Sequence, residues 1–386
     1  MNNPSKLKMN FSLLHAVRGM AALYVVVYHA KFILWSGTVE YLSKFPRATW
    51  HFVDYALSAI DIFFSAGSQM VIIFFVLSGF FIIMSLEHNK NSSGNKFSAF
   101  YLTRFVRIYM PYIASLIVGM LVLYSAAKIS PQLFNNTSNR EFNIRLIVAK
   151  DDISLSNFLK ALFFTQNKEY IGLNFAYWSL LYEALFYLIT PLVFHFKKYY
   201  LLASALLYFA GIFVINGYHT QNILLKFVFE YNFYFAVGVL LFLYKNQLTQ
   251  LVQPNKNSKA VWGACIGLFI VFNFFALKHW DFYANFFSAF FATLLIIVLL
   301  NIEVKMNMVV KKVNQLGLLS YSLYLVHIPV LICCYTVIVH ITNQLIIYPR
   351  IYMVGVLASL FVAGIFYKLV EQPSLAIIRR LKTTKY

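Results

Sequence analysis

The chain has 386 residues, of which 61% are hydrophobic and only 12% charged, and this balance excludes an ordinary soluble protein because too few charges remain to cover a surface. Its formal net charge is +19, but the basic residues lie mainly in short segments between apolar runs, which favours membrane topology over nucleic-acid binding. The three cysteines lie inside apolar runs without metal-ligand spacing, so we expect neither a disulfide framework nor a metal site.

Long apolar runs recur along the chain and predict an all-α, polytopic membrane helical bundle. A spanning helix needs ~20 mostly apolar residues, and about ten segments meet that requirement. The first run contains charged side chains and has no small-residue cleavage site, so we interpret it as a membrane helix and not as a signal peptide. The predicted spans are 11–34, 62–86, 105–127, 175–195, 199–217, 223–244, 260–278, 282–301, 316–342 and 350–372.

The distribution of lysine and arginine predicts the orientation of these spans. One set of connecting segments is rich in basic residues, whereas the opposite set, which includes the long segments 35–61 and 128–174, is poorer. The positive-inside rule then places both termini in the cytoplasm. We expect residues 1–373 to form a single transmembrane domain and 374–386 a basic cytoplasmic tail. The long outward segments offer a docking surface for a polar substrate, with a short interfacial helix within 154–164.

The first predicted helix contains two ionisable residues, Arg18 and His29. Their separation advances a helix by ~1100°, three turns plus ~20°, so both side chains share one face with ~16 Å between them along the axis. Ionisable groups inside a membrane are costly and mark functional sites. A shared face favours function over the alternative of a snorkelling arginine and a hydrogen-bonded core histidine.

Arg104 and Arg107 lie at the cytoplasmic mouth of the third predicted helix. Residues three apart are neighbours on a helix surface, and two guanidinium groups can grip a phosphate bidentately. The alternative is that both residues only anchor the helix at the cytoplasmic face.

The fourth predicted helix has a polar stripe. Ser179, Glu183 and Tyr187 are spaced four apart and follow Trp178. A carboxylate inside the membrane must be paired, be protonated or line a wet cavity. Glu183 is therefore a candidate for chemistry, with a packing hydrogen bond as the alternative.

The last two predicted helices carry further polar residues. Ser320, Tyr324 and His327 follow i, i+4 and i+7 spacing, and His327 is either a ligand-binding histidine or a hydrogen-bonded core histidine. Glu371 stands at the cytoplasmic end of the tenth span, where we expect it to pair with a basic residue and to serve structure more than chemistry.

These motifs together resemble those of the acyltransferase-3 family of bacterial membrane O-acyltransferases. They occur in the family's order and span nearly the whole chain. The matching features are Arg18 with ten residues before His29, FFVLSGFFI at 74–82, Arg104-x-x-Arg107 before Pro111, WSLLYEALFY at 178–187, LGLLSYSLYLVHIP at 316–329 and YKLVEQP at 367–373.

The resemblance implies a multi-pass enzyme of the bacterial inner (cytoplasmic) membrane that moves an acetyl group from cytoplasmic acetyl-CoA to a sugar hydroxyl. The implied acceptor is a cell-surface polysaccharide, such as lipopolysaccharide, or a lipid-linked sugar. Acyl-CoA, this glycan and membrane lipids would be its partners, without nucleic acid or metal.

The resemblance, together with the chemistry of the side chains, suggests roles for individual residues. His29 is the expected general base, since histidine has a reference pKa of ~6.5, and Glu183 is expected to orient it. Direct transfer and an acyl-enzyme both remain open. The expected acyl-CoA-binding residues are Arg18, Arg104 and Arg107, and the expected substrate-binding or structural residues are Ser320, Tyr324, His327, Trp178 and Glu371.

One reading from another class is a transporter or flippase for a glycan or an acyl-linked precursor. Buried charges on helices and two long outward segments also suit a translocation path. Against this reading, the sequence has no inverted repeat and no Gly/Pro-broken helix pairs in corresponding positions.

Overall fold

The computed structural model describes residues 11–88, 96–135, 140–218, 222–252, 254–302 and 308–383. Within these ranges the regular secondary structure is entirely helical. The basic residues of 1–10 and 384–386, which contribute to the predicted orientation, lie outside the described part. The α helices are α1 (Ser12–Leu34), α2 (Thr38–Lys44), α3 (Phe52–Phe63), α4 (Gly67–His88), α5 (Lys96–Ile129), α6 (Glu141–Asp151), α7 (Leu155–Ala161), α8 (Trp178–His195), α9 (Lys197–Tyr218), α10 (Ile223–Lys226), α11 (Asn232–Leu243), α12 (Lys245–Leu251), α13 (Pro254–Leu277), α14 (Asp281–Leu300), α15 (Met308–Thr342), α16 (Tyr352–Phe366) and α17 (Gln372–Thr383).

The chain is a multi-pass α-helical membrane protein. In the described ranges, 9 helical segments are long and apolar enough to cross a membrane, which confirms the predicted fold class. The predicted span 199–217 forms α9 but is not among these 9 segments. The segments are Leu13–Leu34, Phe52–His88, Phe97–Ile129, Phe175–His195, Ile223–Leu243, Lys259–Leu277, Asp281–Leu300, Met308–Thr342 and Tyr352–Leu381.

Large apolar side chains remain exposed on several of the long helices. Leu121 on α5 and Phe361 on α16 are 60% and 72% exposed. In water such faces would be unfavourable, whereas lipid tails solvate them without cost. The exposed faces are therefore suited to contact lipid.

The chain divides into two compact units. The first comprises Met1–Ala21, Ser68–Phe97 and Tyr182–Leu318, and the second comprises Ala22–Gly67, Ser98–Leu181 and Leu319–Tyr386.

The first unit contains a very close helix crossing between α4 and α11. A Cβ atom added to Gly79 would lie 2.1 Å from the carbonyl oxygen of Phe235, and one added to Gly238 would lie 1.9 Å from that of Val76. Only glycine permits this approach, which is the way small residues let membrane helices pack backbone to backbone. The glycine of the FFVLSGFFI motif therefore has a packing role.

The second unit contains both long segments that were predicted to face outward. The segment 35–61 contains α2 and most of α3, and the segment 128–174 contains α6 and α7, with α7 inside the stretch 154–164 that was predicted to be helical. The carboxylate of Asp152 accepts hydrogen bonds from the Asn157 side chain at 3.0 Å and the Lys168 backbone N–H at 3.0 Å. These bonds hold together the stretch that leads into α8.

Candidate active site

His29 on α1 and His327 on α15 meet in the second unit. The Nδ1 atom of His29 lies 2.8 Å from the Nε2 atom of His327. The two rings stack, with centroids 5.1 Å apart and planes inclined by 13°. His29 is partly exposed, whereas His327 is 0% exposed. The structure therefore joins two predicted site residues that are distant in the sequence, and leaves only the first within reach of a ligand.

His327 is held by its own helix. Its Nδ1 atom lies 3.0 Å from the carbonyl oxygen of Leu323, one helical turn earlier. Tyr324, also in the predicted polar stripe, donates its hydroxyl hydrogen to the carbonyl oxygen of Ala176 at 2.6 Å. Because that hydrogen is committed, the Ser179 hydroxyl at 2.7 Å donates to Tyr324. In these contacts Tyr324 and Ser179 join the start of α8 to α15.

Phe175 and Arg145 continue the site beyond the two imidazoles. The Phe175 ring stands edge-on to His29, with centroids 4.9 Å apart and an interplanar angle of 83°. The Arg145 guanidinium carbon lies 4.9 Å from the Phe175 ring centroid. Glu169 accepts hydrogen bonds from Arg145 Nε at 2.7 Å and Nη2 at 2.9 Å. These bonds raise the pKa of Arg145, so a guanidinium paired with a carboxylate lies beside the ring of Phe175, which forms the aromatic wall of the site.

Two contacts of the residues just before Phe175 position its ring: the packing of Gly172 against α5 and a hydrogen bond from Asn174 to α15. Gly172 has φ +67°, and a Cβ atom there would lie 2.6 Å from the backbone of Gly119 on α5, so the turn Ile171–Leu173 presses directly on that helix. Pro329 lacks the N–H that would bond the carbonyl of Leu325 in α15. The buried Asn174 side chain donates to that carbonyl at 2.8 Å.

Arg140 closes the C-terminal end of α1, the helix that carries His29. Its Nη2 atom donates to the carbonyl oxygens of Phe32 at 2.6 Å, Ile33 at 3.0 Å and Trp35 at 2.7 Å. Carbonyls in the last turn have no partner within the helix, and a cation complements their partial negative charge. Burial lowers the pKa of Arg140, but an arginine remains charged because its ordinary pKa lies above 12.

The three predicted acyl-CoA-binding arginines are partly buried on long helices. Arg104 and Arg107 both lie on α5 in the second unit, and the Arg104 guanidinium carbon is 5.4 Å from the Phe100 ring centroid. Arg18 lies on the part of α1 that belongs to the first unit. Their role in binding acyl-CoA stays a prediction.

Glu183 lies on the part of α8 that belongs to the first unit. Its carboxylate accepts a hydrogen bond from the Ser78 hydroxyl at 3.3 Å and another from the Tyr187 hydroxyl. The predicted stripe of Glu183 and Tyr187 is thus a hydrogen-bonded pair. Orientation of His29 by Glu183 stays a prediction, as does a catalytic role for this carboxylate.

The remaining predicted residues lie in the second unit. Trp178 is partly exposed at the start of α8, and Ser320 is 3% exposed on α15. Glu371 lies in the π-helical turn Tyr367–Glu371, and its carboxylate accepts hydrogen bonds from the backbone N–H of Ser322 at 3.1 Å and from the Ser322 hydroxyl. This contact ties α15 to the π-helical turn that follows α16, and the expected pairing of Glu371 with a basic residue stays a prediction.

Five residues around His29 were not predicted as site residues: Arg140, Arg145, Glu169, Asn174 and Phe175. All five lie in or next to the segment 128–174, where charged and polar residues outside the membrane are ordinary. The sequence contains one indication of the role of Asn174, namely Pro329 inside a predicted helix. A proline there leaves a carbonyl oxygen without its backbone donor, and another donor must satisfy it. The others are brought near α1 only by the tertiary fold.

Comparison with known proteins identifies the family of the chain. The family model described as the acyltransferase domain of the acyltransferase-3 family matches residues 12–368, a range that includes His29, His327, Arg145 and Phe175. No curated protein and no solved structure was found to match the chain. With nearly its whole length matched, the chain belongs to the acyltransferase-3 family and is a membrane acyltransferase.

Proposed function

We propose that this protein is an O-acetyltransferase of the bacterial inner membrane, which transfers an acetyl group from cytoplasmic acetyl-CoA to a hydroxyl of an envelope or surface polysaccharide sugar. The observation that carries the proposal is the His29 imidazole, which is partly exposed and bonded at 2.8 Å to a second, fully buried imidazole. A neutral imidazole can accept a proton and later return it, so the base is uncharged before the reaction starts.

The chemistry requires a base because a sugar hydroxyl is not ionised at neutral pH. The hydroxyl oxygen attacks the thioester carbonyl carbon while its proton passes to the His29 imidazole. The carbon–sulfur bond then breaks, its electron pair leaves on sulfur, and the thiolate takes the proton back from His29. The products are the sugar ester and free CoA. General-base catalysis of this kind contributes ~10²–10⁴ in rate.

Arg104 and Arg107 are the proposed grip for the CoA phosphates, with Arg18 as a further cation. Charged hydrogen bonds to phosphate are the strongest that a guanidinium makes. Neighbouring positions on α5 allow Arg104 and Arg107 to bind one anionic group together. Arg145, which is ion-paired to Glu169 beside Phe175, supplies a positive charge that favours the developing oxyanion of the thioester carbonyl.

Transfer of label tests the proposed reaction. Purified protein in lipid vesicles is incubated with acetyl-CoA radiolabelled in the acetyl group and with envelope polysaccharide. We expect labelled, alkali-labile ester on the polysaccharide, and at least a ~10²-fold loss for His29→Ala. The matched control is His340→Ala, which removes an exposed histidine of α15. Full activity of His29→Ala would refute the base, and transport of polysaccharide without labelling would refute the enzyme.

The donor site has its own prediction. Arg104→Ala combined with Arg107→Ala should raise the KM for acetyl-CoA by about 10-fold or more, because each charged hydrogen bond contributes roughly 1.5–3 kcal/mol. The control is Lys311→Ala with Lys312→Ala, which removes the same charge from two exposed positions of α15. An equal change of KM in both double variants would mean that only net charge matters, and the phosphate grip would be withdrawn.

A further inference from the structure

The hydrogen bonds around His29 and His327 form a chain with a defined direction. It runs from the carbonyl oxygen of Leu323 to His327 Nδ1 at 3.0 Å, and from His327 Nε2 to His29 Nδ1 at 2.8 Å. A carbonyl oxygen can only accept a hydrogen bond, so His327 Nδ1 carries a hydrogen. In a neutral ring His327 Nε2 is then an acceptor, and His29 Nδ1 must donate to it.

We propose that His327 is a positioning residue that holds His29 in the Nδ1–H tautomer and thereby makes His29 Nε2 the proton-accepting atom. This inference rests on the proposed function and deepens it by naming the reacting nitrogen. The two histidines differ in access as the roles require, since His327 is 0% exposed and His29 is partly exposed.

A neutral His327 fits its surroundings. Among the described residues of the second unit, no carboxylate is hydrogen-bonded to either ring, and Arg145 lies nearby across Phe175. An imidazolium at His327 would be a fully buried charge inside the membrane with no carboxylate bonded to it among the described residues of this unit, which is costly. If His327 were charged, both of its nitrogens would donate and the direction of the chain would reverse. His29 Nε2 would then carry the hydrogen and could not act as a base.

The same chain of hydrogen bonds stabilises the protonated His29 that forms during proton transfer. When His29 Nε2 takes the hydroxyl proton, His29 becomes a cation and its Nδ1–H still donates to His327 Nε2. A hydrogen bond from a charged donor is roughly twice as strong as a neutral one. The pair therefore favours the charged state of His29 formed during attack, as a carboxylate does in the Ser-His-Asp triad, but without a resident negative charge.

Two substitutions separate this role from simple packing. His327→Phe keeps a ring in the core but removes the acceptor, and His327→Gln keeps a carbonyl oxygen at about the reach of Nε2. We expect kcat for acetyl transfer to fall on the order of 10²-fold in His327→Phe, with an unchanged KM for acetyl-CoA, and to recover to within about 10-fold of the parent in His327→Gln.

A direct measurement reads the tautomer itself. Full-length protein labelled with ring-¹⁵N histidine contains 9 histidines, and the His29 signals are assigned by their loss in His29→Ala. The ¹⁵N shifts and two-bond proton couplings distinguish a ring protonated at Nδ1 from one protonated at Nε2. We expect Nδ1–H for His29 in the parent protein and a gain of the Nε2–H form in His327→Phe.

Two results would overturn the inference: a parent protein in which His29 carries its hydrogen on Nε2, or parent-like kcat in His327→Phe. The tautomer measurement on the parent needs no variant of His327, so it decides the matter even where His327→Phe does not fold. Retained transfer in His29→Ala would instead overturn the role of His29 as the base, and a parent protein that forms no labelled ester would overturn the proposed function, whereas the tautomer measurement does not depend on catalysis.

Discussion

Arg140 shows how one side chain outside the membrane helices can control a residue inside them. It satisfies three carbonyl oxygens at the end of α1, within two turns of His29. Those carbonyls would otherwise depend on water at a partly buried helix end. The imidazole pair at 2.8 Å requires α1 to keep its position against α15, so the cap is expected to matter for catalysis as well as stability.

Arg140→Met should therefore loosen the last turn of α1. We expect a loss of about 1–3 kcal/mol in the free energy of unfolding, since buried acceptors lose a donor. Amide hydrogen exchange at residues 32–35 should become faster. Acetyl transfer should fall by roughly 10-fold, since a displaced base is a poor catalyst. Arg47→Met is the control, because Arg47 is exposed in the other predicted outward segment, 35–61. Unchanged exchange in α1 would contradict the capping role.

At the scale of elements, the backbone donor that α15 lacks at Pro329 is replaced by a neighbouring turn. Pro329 removes one backbone donor, and Asn174 replaces it with a side-chain amide at 2.8 Å from the Leu325 oxygen. Asn174 directly precedes Phe175, the ring that stands against His29. The Leu325 carbonyl, which Pro329 leaves without a backbone donor, thus holds the residue that precedes Phe175 through one hydrogen bond.

A double-mutant cycle tests this compensation. Asn174→Leu alone should cost about 1–3 kcal/mol, because the Leu325 carbonyl loses its donor. In a Pro329→Ala background the restored N–H can serve that carbonyl, so the same change should cost less by at least about 0.5 kcal/mol. Unfolding in detergent micelles measures both values. Equal costs in the two backgrounds would show that Asn174 does not replace the missing N–H.

At the scale of the whole molecule, the distribution of basic residues predicts the orientation in the membrane on which the proposed function depends. The proposed donor is cytoplasmic and the proposed acceptor is outside, so α5 must present its arginines inward. The positive-inside rule predicts this orientation from lysine and arginine counts alone. It also places the segment 128–174, with α6 and α7, on the outer side.

Cysteine accessibility tests the orientation. Cys265, Cys333 and Cys334 are first replaced by alanine, and a single cysteine is then introduced at Ser156 or at Lys312, both of which are exposed. We expect a membrane-impermeant maleimide to label the cysteine at 156 in intact cells, and the cysteine at 312 only after permeabilisation. The reverse pattern would invert the topology and remove access of cytoplasmic acetyl-CoA to Arg104 and Arg107.

Several features of the site follow from short-range sequence spacing. The residues Arg18 and His29 lie on one helix, and so do Arg104 and Arg107, because a helix repeats every 3.6 residues. Glu183 and Tyr187 are hydrogen-bonded for the same reason. The expectation that Glu183 orients His29 had no such support, because the two residues lie on different helices. In the second unit the partner that His29 is seen to have is His327.

The sequence by itself determined the class of protein, the long apolar helices and the family. These depend on quantities that are defined along the sequence without the tertiary fold, namely the hydropathy of each stretch of ~20 residues and the order of the motifs. Tertiary structure alone decided that His29 meets His327, that Arg140 caps α1 and that Asn174 serves Leu325. These pairs are 298, 108 and 151 residues apart in the chain. Their contact depends on how helices pack, and in a membrane packing is determined by close fit and hydrogen bonds between helices, which no single segment encodes.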